Sequence, residues 1–299
     1  MDATDLLPRC RFPPAGSPVT CAVSGGADSL ALLVLATAAG CRTTAIHIDH
    51  GLRDGSAAEA DVVAEAAARF GAEFRAARAE VAPGHNLEAR ARAARYDVLP
   101  ADVLTGHTAD DQAETMLLSL LRGAGRDGLA GMRRARRPLL DLRRIETRAL
   151  CRYLQLTPLD DPSNDSPAIR RNRVRHELLP LIDDIAERDV VPILARQADL
   201  LRDEADLLDE LAAGLDPTDA HALAAAPVAL ARRAIRRWLG GDHPPDGATV
   251  ERVLAVARGE SRSCDVGGGR RVERTAMRLR LEPVPPTASR PRLGNLAAP

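Results

Sequence analysis

Not one of the 299 residues is lysine. Every basic side chain is arginine, whose guanidinium stays protonated, so Schiff-base chemistry and a lysine general base are excluded. The same absence rules out a Walker A phosphate loop, which needs a lysine to reach the outer phosphates. Aromatic side chains are scarce, with three Phe, two Tyr and one Trp; a stacking platform for single-stranded nucleic acid is therefore not expected. Five cysteines, Cys10, Cys21, Cys41, Cys151 and Cys264, include no C-x-x-C pair, which argues against zinc, an iron–sulfur cluster and a disulfide scaffold. No apolar run reaches the roughly 18 residues of a membrane span. The opening residues, with Asp2 and Asp5 ahead of a proline-rich stretch, lack a signal peptide's basic and apolar regions. A cytoplasmic chain with no membrane association is expected.

What is present starts with Ser24-Gly25-Gly26-Ala27-Asp28-Ser29, set between the apolar Cys21-Ala22-Val23 and the helix-like Leu30-Ala31-Leu32-Leu33. Strand, glycine turn and helix in that order form a phosphate cradle. The glycines let backbone approach an anion, and the serines and the helix N-terminus supply donors and a positive dipole end. Asp28 beside a phosphate makes electrostatic sense when a cation lies between them, so Mg²⁺ at Asp28 is expected.

Strand-like runs at about 18–23, 43–48, 73–81 and 103–106 alternate with helical patterns at about 28–39, 56–71, 86–99 and 109–122. Alternation of this kind predicts an α/β fold, a parallel sheet with helices on both faces, whose ligands gather at the carboxyl ends of the strands. Three polar strings fall there: the Ser24 loop, His47-Ile48-Asp49-His50-Gly51, and Gly106-His107. The last runs into Thr108-Ala109-Asp110-Asp111-Gln112-Ala113-Glu114, where Thr108 can cap a helix and acids favour its dipole. Asp111 and Glu114, three apart, share a helix face and can hold an ammonium group or a metal ion. His107 is a candidate proton donor, phosphate contact or structural hydrogen-bonder.

The net charge of −1 conceals clustered arginines: Arg133, Arg134, Arg136 and Arg137; Arg170, Arg171, Arg173 and Arg175; Arg232, Arg233, Arg236 and Arg237; and Arg270, Arg271, Arg274, Arg278 and Arg280. A solvated face explains any one of them, whereas four together point to a polyanion such as nucleic acid, contacted through its phosphates. Past about residue 185 the chain becomes Ala/Leu/Arg-rich and amphipathic, as in 193–213, 221–239 and 248–258, and ends in a hairpin around Gly267-Gly268-Gly269. The expected organisation is a catalytic domain over 1–185, a helical domain with a terminal hairpin over 186–282, and a poorly ordered tail over 283–299.

The Ser24–Ser29 string resembles the pyrophosphate loop of the N-type ATP pyrophosphatases, which fold like adenine nucleotide α-hydrolases and activate a substrate oxygen by adenylation. Ile48-Asp49-His50-Gly51-Leu52-Arg53, Glu88-Ala89-Arg90 with Arg95-Tyr96, Gly106-His107 through Glu114-Thr115, and Arg122-Gly123-Ala124-Gly125 through Gly131-Met132 extend the resemblance. With Arg137-Pro138-Leu139-Leu140, Asp161-Pro162-Ser163-Asn164 and Arg171-Asn172-Arg173-Val174-Arg175-His176-Glu177, the ordered set is similar to the tRNA(Ile)-lysidine synthetases. The resemblance implies a ligase that uses ATP to adenylate the C2 oxygen of the wobble cytidine in tRNA(Ile) with a CAU anticodon, after which free L-lysine attacks and AMP leaves.

In that scheme Ser24, Gly25, Gly26, Ala27, Asp28 and Ser29 hold the β- and γ-phosphates, and Asp28 anchors Mg²⁺. Asp49 and Gly106 line the nucleoside pocket, and Asp111 and Glu114 bind and deprotonate the lysine ammonium. Arg171, Arg173 and Arg175 meet ATP phosphates and tRNA, and Arg232 and Arg236 in the helical domain grip tRNA. Two rival readings are a related adenylating enzyme, such as a tRNA thiolase, and a non-catalytic RNA-binding module. The thiolase normally needs paired cysteines, and the RNA-binding module leaves Asp28 and the acidic helix unexplained.

Overall fold

The computed structural model describes residues 1–49, 56–79, 90, 94, 97–160, 165–240 and 245–284. Four parallel strands, β1 (Pro18–Ala22), β2 (Arg42–Asp49), β3 (Glu73–Arg78) and β4 (Leu104–Thr105), lie in the order β3-β2-β1-β4. The chain steps outward from β1 through β2 to β3 and then returns to the other side of β1. The β1–β4 border is therefore the topological switch point, where an open α/β sheet leaves a crevice at its carboxyl edge. Val23 continues the sheet past β1, its N–H donating to Ile46 O at 2.9 Å while its carbonyl meets the buried His47 Nδ1 at 3.0 Å.

A short α1 (Ala3–Leu6) precedes the sheet, and α2 (Ala27–Ala38) and α3 (Ser56–Phe70) link its first three strands. In α2 seven successive residues, Leu30 to Ala36, are buried, which marks a helix enclosed all round rather than one with a solvent face. It packs against the sheet, α3 and the later helix over Arg144–Tyr153. Around it the core gathers Cys21, Ala45, Val63, Leu139, Leu142 and Leu150. The Arg137-Pro138-Leu139-Leu140 string thus contributes packing: Leu139 and Leu140 are buried.

Next come α4 (Ala109–Leu121), α5 (Arg126–Leu129), α6 (Arg144–Tyr153), α7 (Arg170–Arg173), a π turn over Val174–Leu178, α8 (Leu179–Ala186) and α9 (Val191–Ala213). The strands and helices expected at 18–23, 43–48, 28–39, 56–71 and 109–122 are present within a residue or two. The helical pattern at 86–99 and the Asp161–Asn164 string fall largely or wholly outside the described residues, as do His50 to Arg53, Glu88, Ala89, Arg95, Tyr96 and the tail beyond 284.

The chain divides into two compact units, Met1–Arg202 and Asp203–Pro299, the division falling within α9. In the second unit α10 (Ala220–Ala225), α11 (Val228–Leu239) and α12 (Gly247–Arg258) enclose Ile235, Leu239, Val253, Leu254, Val272 and Leu279. The expected single hairpin is instead a three-stranded antiparallel sheet, β5 (Ser263–Gly267), β6 (Arg270–Thr275) and β7 (Arg278–Pro283). The second turn rests on Ala276, a non-glycine residue at φ 53°, and carries none of the Gly or Asn chemistry by which such turns are read from sequence.

Candidate active site

The loop after β1 is shaped by its glycines. Gly25 adopts φ +89°, and a Cβ there would collide with the Leu159 side chain, whose backbone N–H donates to Gly25 O at 3.0 Å. Gly26 is the N-cap of α2 and accepts from the amides of Ser29 and Leu30 at 3.1 and 3.0 Å. Ser29 Oγ donates to Gly26 O at 2.8 Å and accepts from Ser24 N at 3.2 Å, so this hydroxyl stitches the turn together. The first amides of α2 have no intrahelical acceptor, as at any helix start, and form an anion-binding end.

Gly106, at the end of β4, completes the crevice from the other side of the switch point. A Cβ there would lie 2.5 Å from Asp28 O and 3.1 Å from Ser29 N. Backbone cannot yield as a flexible side chain can. Gly106→Ala is expected to push the loop out of register and weaken ATP binding by roughly 5- to 150-fold, as a fixed-backbone clash of about 1–3 kcal/mol would; titration with a non-hydrolysable ATP analogue measures it.

Asp28, in the first turn of α2, faces α6. Its Oδ1 accepts from Thr147 Oγ1, and Oδ2 lies 3.5 Å from Arg144 Nε, an ionic contact rather than a hydrogen bond. Burial, and then the nearby Asp111 charge, push the Asp28 carboxyl up to about 6 despite Thr147 and Arg144. Among the described residues no group of three or more His, Cys, Asp or Glu is placed to hold a metal ion. Mg²⁺ usually takes one or two carboxylates, with phosphate oxygens and water filling its octahedron. A partly open Asp28 next to an anion-binding helix end fits that mode.

Asp111 and Glu114 do share the inner face of α4, where they are buried at 8% and 0% exposure. Rather than facing an open ammonium pocket, they meet three guanidinium groups. Arg144 Nη2 donates to Asp111 Oδ1 at 2.9 Å and to Glu114 Oε1 at 3.1 Å. Arg171 Nε donates to Glu114 Oε2 at 2.7 Å, and Arg175 Nε to Glu114 Oε1 at 2.7 Å. Buried carboxylates are costly unless paired, which is the reason the cage exists. Asp111 also accepts from Thr108 N at 2.9 Å and Thr108 Oγ1 at 3.0 Å, closing the capping box of α4. Burial raises its pKa, but Arg144 and Arg171 outweigh that and hold it at about 2.

Asp110 points elsewhere, accepting from Arg144 N at 2.8 Å and Arg143 Nε at 3.1 Å, and so anchors the start of α6. The Arg171–Arg175 string splits as its helical spacing requires. Arg171 and Arg175 face Glu114, and Arg173 turns outward to Glu177 at 2.8 Å. His107 Nδ1 is 2.7 Å from Thr105 Oγ1. Asp49 ends β2, its carbonyl accepting from Ala79 N. In the second unit Arg232 pairs with Glu251 at 2.5 Å, and Arg233 with Asp209 at 2.5 Å; Arg236 lies one turn beyond Arg232 on α11. Arg134 pairs with Asp141 at 2.7 Å and also with Asp199. Many arginines of the clusters are therefore committed to acids within the protein.

Arg144 and Thr147 did not emerge from the sequence. Their only signal is the i, i+3, i+7 spacing of Arg144, Thr147 and Cys151 on α6, a face that lies against the start of α2, where Cys151 Sγ contacts Ala27 O at 3.5 Å.

The PP-loop domain family matches residues 9–182. A tRNA(Ile)-lysidine synthase of Nocardia farcinica is 42% identical over 280 residues, covering 86% of this chain and 88% of the relative. One from Thermobifida fusca is 41% identical, covering 82% and 84%, and one from Mycobacterium tuberculosis is 42% identical, covering 79% of each. Among solved structures, the U34-tRNA thiolase NcsA of Methanococcus maripaludis with its [4Fe-4S] cluster shares the fold at TM-score 0.53 and 16% identity, covering 67% of this chain and 78% of its own.

Proposed function

The chain belongs to the tRNA(Ile)-lysidine synthase family, and from that premise we propose that it joins free L-lysine to the wobble cytidine of tRNA(Ile) bearing a CAU anticodon, with Mg²⁺-ATP as the driving substrate. The observation that carries this reading is the juxtaposition of loop and acid pair: the single guanidinium of Arg144 reaches from Asp28 to both Asp111 and Glu114. A nucleotide on the loop and an ammonium at the acids would then lie side by side.

The cytidine C2 oxygen attacks the α-phosphorus and pyrophosphate departs. The lysine ε-amine, after losing its proton, attacks C2; the C2–O bond breaks and AMP leaves. Bound Mg²⁺ supplies neutralising charge as pyrophosphate departs. The loop amides with Ser24 and Ser29 hold the outer phosphates, and Asp49 and Gly106 line the nucleoside side. His107, its ring oriented by Thr105 Oγ1 at 2.7 Å, contacts a phosphate or donates a proton. Asp111 and Glu114 attract the ammonium; Asp111 stays a fixed negative charge beside Arg144 and Arg171, and the proton passes to Glu114. For that to happen one guanidinium must change partner. Arg171 and Arg175, the more exposed two of the three at 30% and 22% against 14% for Arg144, have phosphate oxygens as their alternative acceptor. Arg173, already outward, with Arg232 and Arg236 of the second unit, contacts tRNA phosphates.

A thiol-transferring alternative fits poorly. Burial pushes the thiol of Cys21 up to about 12 and that of Cys151 to about 11, leaving little thiolate for nucleophilic chemistry at neutral pH. No helix among the described residues is long and apolar enough to cross a membrane, and the reading puts the enzyme with tRNA in the cytoplasm.

The test is incorporation of labelled lysine into a tRNA(Ile) transcript with ATP and Mg²⁺. Incorporation is expected, and it should vanish when the wobble cytidine is replaced. RNA-dependent pyrophosphate release without lysine transfer would overturn the choice of nucleophile.

A further inference from the structure

Thr147 is fully buried on α6, and its hydroxyl has two acceptors but one proton. Arg144 O, one turn back on its own helix, lies 2.8 Å away, and Asp28 Oδ1 is the second acceptor. A threonine inside a helix ordinarily satisfies itself on the preceding turn. Here an ionised carboxylate competes for the proton, and charged acceptors win over neutral carbonyls. The hydroxyl is thus diverted from local helix structure to a residue 119 positions earlier in the chain.

The consequence for Asp28 is geometric. One carboxylate oxygen is fixed by Thr147, and the other meets Arg144 Nε only at 3.5 Å. The two contacts come from the same face of one helix, three residues apart, and α6 is itself packed on α2, which carries Asp28. Rotation of the carboxylate about its terminal bond, otherwise soft, is restrained, and Oδ2 is left as the oxygen least engaged by hydrogen bonding. We propose that Thr147 is a positioning residue for the metal nucleotide, holding Asp28 so that Oδ2 is presented to the cation. This rests on Asp28 being the cation's ligand, as proposed above.

The test uses the full chain and three variants. Thr147→Val keeps the side-chain shape and removes the hydroxyl; Thr147→Ser keeps the hydroxyl; Asp28→Ala marks the loss of the ligand itself. The Mg²⁺ concentration that half-saturates RNA-dependent pyrophosphate release is expected to rise about tenfold in Thr147→Val, the scale of one hydrogen bond to a charged group. Thr147→Ser should return it to within about twofold of the parent, and KM for lysine should stay within about twofold in both, since Thr147 touches neither Asp111 nor Glu114 in the contacts above. Mn²⁺ binding to the protein with ATP, read by electron paramagnetic resonance without tRNA, should weaken by the same factor in Thr147→Val and further in Asp28→Ala.

An unchanged metal midpoint in a folded Thr147→Val protein overturns the proposal, as does an equal rise in Thr147→Ser. If Thr147→Val fails to fold, Thr147→Ala replaces it in the same two assays. A parent that releases no pyrophosphate with tRNA overturns the functional reading instead, and the Mn²⁺ series then decides alone on Thr147.

Discussion

Asp28→Asn lowers RNA-dependent pyrophosphate release by roughly 10²–10³-fold, the usual cost of removing one preorganised electrostatic group at developing charge, while tRNA affinity stays within about twofold because the side chain faces α6 and the phosphate loop rather than a basic surface. The same change should make the protein more stable at neutral pH. Burial, with the Asp111 charge beside it, lifts the Asp28 carboxyl from its ordinary 3.8 to about 6. The folded chain therefore keeps this proton between pH 3.8 and 6 while the unfolded chain releases it, so the parent loses stability as pH rises through that window and does not regain it above. Asparagine carries no charge to desolvate and still offers an oxygen to Thr147. At pH 7.5 the variant is expected to exceed the parent by roughly 1–3 kcal/mol, the partial exposure of the group trimming the upper end. The gap should close by pH 4. Thermal melts at both pH values beside a pyrophosphate assay check it: activity lost as stability is gained places Asp28 in function, whereas loss of both would make it structural.

Much of the first unit was legible because its signals are local. Two glycines and two serines between a buried strand and the apolar run Leu30-Ala31-Leu32-Leu33 have few alternative readings, and Thr108 ahead of the acids of α4 reads as a helix N-cap. The partners of the charges were not legible. Glu114 and Arg171 are 57 positions apart, Arg134 and Asp199 are 65 apart, and Asp28 and Thr147 are 119 apart. A run such as Arg133-Arg134-Ala135-Arg136-Arg137 reads as a polyanion-binding surface, yet folding sets Arg134 against Asp199 of α9 and turns Arg136 to the carbonyl of Ala101. The α6 face was missed for the same reason: a threonine one turn after an arginine is unremarkable until α2 is laid against it. In the second unit the Ala276 turn hid one strand boundary, because left-handed backbone at alanine leaves no mark in composition.

The sharpest separation of scaffold from chemistry comes at Glu114. Glu114→Ala leaves Arg144, Arg171 and Arg175 around Asp111 alone, in a place where Glu114 has no solvent exposure. Breaking a buried ion cluster from one side costs about 3–5 kcal/mol, and for a unit of this size Tm should fall by roughly 10 °C. KM for lysine should rise by roughly 10–100-fold, the range of a hydrogen bond to a charged group, with RNA-dependent pyrophosphate release at a temperature well below the new Tm much less affected. A structural explanation would attribute both losses to the stranded cations. Adding Arg175→Met to Glu114→Ala removes one of those cations and fills its place with apolar volume, so the double variant should regain part of the lost stability, the two sites being in direct contact and non-additive. If lysine use returns with the stability, Glu114 serves only to hold the arginines. If stability returns and lysine use does not, the carboxylate itself meets the ammonium, and the guanidinium cage is what occupies the buried acid in the free enzyme until the substrate cation takes its turn.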